Sequence, residues 1–231
     1  MSDTTNALLD AALIHVPFDG WGDDALRAAA ADCGIDLATA RAFFPRGGVD
    51  MALAYHRRGD RQMAERLGRE DLSHLRFRDR IAFAVRARIE AAEDRELVRR
   101  GAALFALPHH AADGAGAIWG TADLIWTTLG DTSDDYNWYT KRATLSGVYS
   151  ATVLFWLGDD SPGAQATWNF LDRRIDGVMQ FERVKGAMEK NPLARALFAG
   201  PRAVLGCIKA PARRAPDDLP GRVTPSTPQQ G

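Results

Sequence analysis

The amino-acid sequence predicts an all-α protein, and three observations carry that prediction. Apolar residues recur at three- and four-residue spacing along almost the whole chain, Val/Ile/Thr-rich alternating runs are missing, and Gly or Pro punctuates the ends of the periodic segments. Composition agrees. Of 231 residues, 46% are hydrophobic and 26% charged, with a net charge of −1, which excludes collagen-like, disordered and charge-dominated classes.

The first helix, about 4–15, carries Leu8, Leu9, Ala12 and Leu13 and ends near Pro17-Phe18-Asp19-Gly20. A second, about 23–32, opens on Asp23 and Asp24, acids that suit a helix N-terminus, and stops at Cys33-Gly34. The third, about 36–44, halts before Pro45-Arg46-Gly47-Gly48 and completes a helix-turn-helix pattern. A longer helix from about 49 to 67 follows. In a second, larger body Phe77, Ile81, Val85 and Ile89 share one face, residues 95–107 form a helix closed by Pro108, and Ile118, Ala122, Ile125 and Leu129 line another between 113 and 129. Residues 143–157 carry no charge, so this helix is expected to be buried on most sides. The helix at 164–183 turns Trp168, Leu171, Ile175 and Val178 inward. The expected units are thus 1–68, 69–183, an amphipathic segment 184–209 and a Pro-rich, disordered tail 210–231.

Charge is distributed unevenly. Residues 184–231 hold eight Lys/Arg against three Asp/Glu, a balance of +5 that leaves −6 for residues 1–183. Cys33 and Cys207 have no metal-binding or redox spacing, and no apolar stretch reaches the ~18 residues of a spanning helix. The start, Met1-Ser2-Asp3-Thr4, has neither the basic nor the apolar region of a leader.

Enzymatic chemistry leaves no clear trace. His109 and His110 read as capping or surface residues, and Asp71 with His74 lacks the matching ligands from other helices that a bundle metal site needs. Gly114-Ala-Gly116-Ala-Ile-Trp-Gly120 has the wrong glycine spacing and no βαβ context for a dinucleotide fingerprint. No cofactor and no catalytic residue is expected.

The segment 7–53 matches the start of TetR-type repressors. DNA affinity, however, depends on neutralising phosphates, and residues 1–47 hold three arginines against seven aspartates, a balance of −4. Leu37, Ala38, Ala40 and Ala42 offer nothing to base edges. A ligand-responsive repressor is therefore the alternative reading, and no nucleic-acid partner is expected.

The run Gly130-Asp-Thr-Ser-Asp-Asp-Tyr-Asn-Trp-Tyr-Thr-Lys-Arg142 is the most distinctive. Its acids and hydroxyls suit a helix N-cap made by Asp135 or Asn137, while Trp138, Tyr139 and Arg142 equally suit an exposed interaction hot spot held by Asp131 and Asp135.

This run, with Leu154-Phe-Trp-Leu-Gly-Asp-Asp-Ser-Pro162 and Thr167-Trp-Asn-Phe-Leu-Asp-Arg-Arg-Ile-Asp-Gly-Val-Met179, resembles the ubiquinone (coenzyme Q) biosynthesis accessory protein family, the ninth of the coenzyme Q proteins. The resemblance is strong over about 118–183 and weaker back to residue 4. It implies a TetR-like fold with a helix-turn-helix remnant that has lost DNA binding, a homodimer, and a larger helical body that binds an isoprenoid lipid or quinone intermediate. It further implies assistance to the di-iron demethoxyubiquinone hydroxylase, through Trp138, Tyr139 and their neighbours, and peripheral membrane attachment through a C-terminal amphipathic helix. Without a leader, it implies a bacterial member in the cytoplasm, peripheral to the inner membrane.

Two further sites are expected from the residues. An apolar cavity lined by Trp119, Trp126, Leu145, Tyr149, Thr152, Trp156, Trp168 and Ile175 follows from aromatics in helices that read as buried, with small neighbours leaving room. In the segment 191–209, Leu193, Leu197, Val204 and Ile208 share one side, Arg195, Arg202 and Lys209 gather opposite, and Phe198 sits at the margin, a pattern that suits an anionic membrane surface.

Overall fold

The computed structural model describes residues 3–190 and 209–211, with 181–190 as backbone alone. Among the described residues there are helices and no strand: α1 (Asp3–Asp19), α2 (Asp23–Asp32), α3 (Leu37–Phe43), α4 (Gly48–Arg69), α5 (Phe77–Glu90), α6 (Arg95–Phe105), α7 (Ala111–Thr128), α8 (Tyr136–Leu157) and α9 (Gln165–Lys190).

Local chemistry sets most boundaries. Asp36 caps α3 by accepting from the Thr39 backbone N–H at 2.9 Å, and Asp94 does the same for α6 at Glu96. Gly34 takes a φ of 67° between α2 and α3, a left-handed turn that side-chain-bearing residues rarely adopt. One expected boundary is corrected: α1 runs through Pro17 to Asp19. That proline forfeits one N–H two residues from the helix end, where the Gly20 N–H to Val16 carbonyl bond at 2.8 Å still closes the turn.

Two apolar cores organise the helices. Leu8, Leu9, Val16, Leu26, Ala40, Phe44 and Met51 fill the first, joined by Leu97 of α6. Met63, Leu67, Val85, Ile125, Trp126, Leu145, Trp168, Leu171 and Ile175 fill the second, where α7 packs on α4 and α8, and α9 on α5 and α8. The long helix α4 contributes to both. The expectation that 143–157 is buried on most sides is corrected: Leu154 is 65% and Phe155 38% exposed, and Phe155 stacks on Phe170 at 4.6 Å, with the Arg174 guanidinium 5.0 Å from the Phe170 ring centre. A helix segment without charges is desolvated only where a neighbour covers it, and among the described residues Leu154 stays largely uncovered.

Candidate functional site

A cavity of about 420 Å³ lies between the two cores, walled by α4, α6, α7 and α8 and closed at one side by Trp21. Small residues create it. Ala52, Gly101, Ala102, Ala106, Ala111, Gly114, Ala115 and Ala117 face the space from three helices, while Phe105, Ile118, Val153 and Leu154 supply its larger apolar lining. Gly114 lets α7 approach Phe105, since a Cβ there would stand 2.6 Å from the phenylalanine Cβ. Such a volume suits one ligand of modest size with an apolar body.

One wall is polar. Arg88, buried in α5, donates from Nε to Asp60 Oδ1 at 2.7 Å and from Nη2 to the His56 carbonyl at 3.0 Å. Thr121 donates its hydroxyl hydrogen to Asp60 at 2.8 Å, and its oxygen lies 2.8 Å from His56 Nε2. A hydroxyl has one hydrogen, so with Asp60 taking it, the Thr121 oxygen accepts from an Nε2-protonated, neutral His56. Burial first, and the Arg88 cation second, hold the His56 imidazole down at about 4, so it carries no charge at neutral pH. Gly59 admits the Arg88 guanidinium, because a Cβ there would meet Nη1 at 2.6 Å. Tyr149 faces the same cavity from α8 and is 5% exposed.

A second cavity of about 180 Å³ lies between α5, α8 and α9, lined by Phe77, Ile81, Trp126, Lys141, Leu145, Val148, Ile175 and Val178. The residues expected to line one site are therefore divided. Tyr149 reaches the larger cavity, and Trp126, Leu145 and Ile175 the smaller. Trp156 and Trp168 are core residues lying under the guanidinium groups of Arg95 at 4.9 Å and Arg86 at 4.7 Å. The Thr152 hydroxyl donates to its own helix, at the Val148 carbonyl, 2.7 Å away. Trp119 stands elsewhere, packed 5.9 Å from Trp138 and 6.5 Å from Tyr139. Sequence reasoning missed His56, Arg88, Tyr55, Trp21 and Phe105.

At the corner where α8 begins, Asp135 caps the helix by accepting from the Asn137 N–H at 2.9 Å. Tyr139 is exposed and Trp138 half-buried. Arg142, expected at an exposed corner, is corrected: it is fully buried. Its Nε donates to Asp123 at 2.6 Å, its Nη1 to Asp131 at 3.0 Å and to the Trp138 carbonyl at 3.1 Å, and its guanidinium lies 4.0 Å from the Trp138 ring centre. Helical rotation explains this, since neighbours 141 and 142 point about 100° apart. Burial tends to raise the Asp131 carboxyl, but hydrogen bonds from Lys141, Ser133 and Arg142 outweigh it and hold it at about 2. A depressed carboxylate stabilises the fold fully above its ordinary value of 3.8 and loses that contribution as pH falls through about 2. In a carboxyl-carbon NMR titration Asp131 should therefore hold its ionised shift at pH 3.5. A midpoint near 4 would mean that these bonds do not form.

Of the expected membrane residues, Leu193, Arg195, Leu197, Phe198, Arg202, Val204 and Ile208 lie outside the described residues. Lys209 is described and exposed; its carbonyl accepts from the Tyr139 hydroxyl at 3.4 Å, and the next N–H, of Ala210, donates to the Asp134 carbonyl at 2.9 Å. Among the described residues no helix is long and apolar enough to cross a membrane, and no group of three His, Cys, Asp or Glu could hold a metal ion.

Residues 111–182 match the COQ9 family model. The "Ubiquinone biosynthesis protein COQ9, mitochondrial" of Drosophila melanogaster is 32% identical over 187 residues, covering 79% of this chain and 57% of that relative. The protein of the same name from Homo sapiens is 30% identical over 183 residues, covering 74% of this chain and 56% of the relative. The chain thus spans little more than half the length of the curated relatives it matches. A solved TetR transcriptional regulator from Nitrosomonas europaea ATCC 19718 superposes with a TM-score of 0.63 at 21% identity, covering 76% of this chain and 97% of that one, which shows an all-α, TetR-like fold. The expected bacterial cytoplasmic location is overturned, because the relatives are named as mitochondrial proteins. The residues at the start of a chain spanning only part of its relatives carry no weight on compartment.

Proposed function

Residues 111–182 belong to the COQ9 family, and from that premise we propose that this chain is a non-catalytic accessory protein of ubiquinone biosynthesis that binds an isoprenoid quinone intermediate and assists the demethoxyubiquinone hydroxylase. The observation that carries the reading is the cavity of about 420 Å³, apolar over most of its wall and polar at one end, which suits a molecule with a hydrocarbon tail and a small head. The exposed Tyr139, beside Trp138 and Trp119, supports a docking corner for the hydroxylase, since aromatic clusters at a surface are enriched in interaction hot spots. The exposed Leu154 and the partly exposed Phe155–Phe170 stack support a homodimer. An anionic membrane surface is the further partner proposed, from the cationic pattern of 191–209.

The repressor alternative finds little support in the helix-turn-helix-like unit. The three arginines of residues 1–47 are engaged by acids: Arg27 by Asp24, Arg41 by Asp23 at 2.8 Å, and Arg46 by Asp50 and Asp113. A phosphate would have to displace a carboxylate at each.

Extraction of the purified protein with organic solvent, followed by mass spectrometry, is expected to recover an isoprenoid quinone or quinone precursor at a stoichiometry approaching one per chain. Extracts containing no isoprenoid lipid, from protein expressed in a ubiquinone-producing host, would count against the reading.

A further inference from the structure

We propose that His56, Arg88 and Tyr149, with Asp60 and Thr121 holding the first two from behind, form a head-group subsite that accepts the uncharged hydroxyl or carbonyl end of an elongated apolar molecule and rejects a carboxylate or phosphate. The inference rests on the reading of the larger cavity as a lipid site and adds which end of the ligand is held and by what chemistry.

Charge balance supplies the first argument. Asp60 and Arg88 neutralise each other at 2.7 Å in a buried wall, and His56 is neutral. An anion brought against this wall would set two acids on one guanidinium with little water to screen them, which a low-dielectric site penalises steeply. An uncharged oxygen meets no such penalty.

Unspent hydrogen-bonding capacity supplies the second. The Tyr149 hydroxyl belongs to a residue that is 5% exposed and lines the cavity, yet it makes no hydrogen bond within the described residues. The Tyr149 hydroxyl can donate to an acceptor on a ligand held in the cavity it lines. Burial holds the phenol above its ordinary range, so it is protonated and able to donate at neutral pH. His56 lines the cavity beside Tyr149, with its Nε2 held by the Thr121 oxygen. The Trp21 indole N–H is spent on the Leu97 carbonyl at 3.0 Å, the Tyr55 oxygen accepts from the Glu93 N–H at 3.2 Å, and Phe105, Ile118, Val153 and Leu154 suit only hydrocarbon.

The test compares three C15 probes on the full chain by isothermal titration at pH 7.5: farnesol, its carboxylate counterpart farnesoate, and the hydrocarbon farnesene. Farnesol should bind about tenfold or more tightly than farnesoate, one factor of ten corresponding to a single well-made polar contact. Tyr149→Phe, which removes only the hydroxyl, should weaken farnesol about three- to tenfold and leave farnesene unchanged. Asp60→Asn, which removes the negative charge and keeps an acceptor, should bring farnesoate to within a few-fold of farnesol. The wild-type ratio requires no variant to fold. Farnesoate binding as tightly as farnesol, or a Tyr149→Phe protein that binds farnesol as tightly as the parent does, overturns the subsite while leaving a lipid cavity. Failure of all three to bind the wild type overturns the cavity reading as well.

Discussion

Replacing Arg142 with alanine is expected to lower folding stability by about 3 kcal/mol or more, the scale for removing one partner from a buried ion pair, and the melting temperature by roughly 6–12 °C. The loss falls chiefly on Asp131, whose side chain is 4% exposed and also pairs with Lys141, whereas the contact to Asp123 is half-open to solvent and contributes less. The Trp138 ring would also lose the guanidinium it packs on. Tyr139→Ala should behave in the opposite sense. Its exposed ring contributes within about 0.5 kcal/mol to folding, yet as a docking aromatic its removal should weaken association with the hydroxylase about thirtyfold. Thermal unfolding followed by circular dichroism, together with co-purification of the hydroxylase, separates the two effects. An Arg142→Ala protein that melts with the parent would show that the Asp123–Arg142–Asp131 arrangement does not hold the corner.

The same contrast shows what a linear sequence conceals. Helices were legible because their signals are local: Asp36 and Asp135 sit where capping requires them, and Gly34 sits where a left-handed turn requires it. The corner loop was legible for the same reason. The cavity was not, because bulky aromatics announce burial, not space, and Trp156 and Trp168 turned out to fill the core. Space arises where small residues on different helices face one another, as Gly101, Gly114 and Ala52 do, and that depends on tertiary register. One clue lay in the open. Arg88 stands three residues after Val85 and seven after Ile81, on the apolar face of α5, where an unpaired cation is not tolerated. His56 and Asp60, four apart on α4, are the complementary irregularity. Each is unremarkable alone, and only their meeting across two helices makes a polar wall.

That wall yields the second large effect. Asp60→Leu should destabilise by about 3–5 kcal/mol, because Arg88 would be left as a buried, uncompensated cation. Arg88→Leu should cost less. With the guanidinium gone, Asp60 keeps the Thr121 hydroxyl, and His56, 3.7 Å from the carboxylate, loses one of the two main influences that depress it. Its imidazole should titrate above the value of about 4 in the parent, a shift readable by NMR of the ring protons. Replacing both residues with leucine removes the stranded charge in either sense, so the double variant should recover more than half of the Asp60→Leu loss. The remainder reflects the Thr121 hydroxyl, which then loses Asp60 as its acceptor. In a urea-denaturation cycle over the four proteins the coupling should exceed about 2 kcal/mol, as expected for residues in direct contact. Strictly additive losses would mean that Asp60 and Arg88 stabilise the fold independently, and that the larger cavity does not end on a self-neutralised pair.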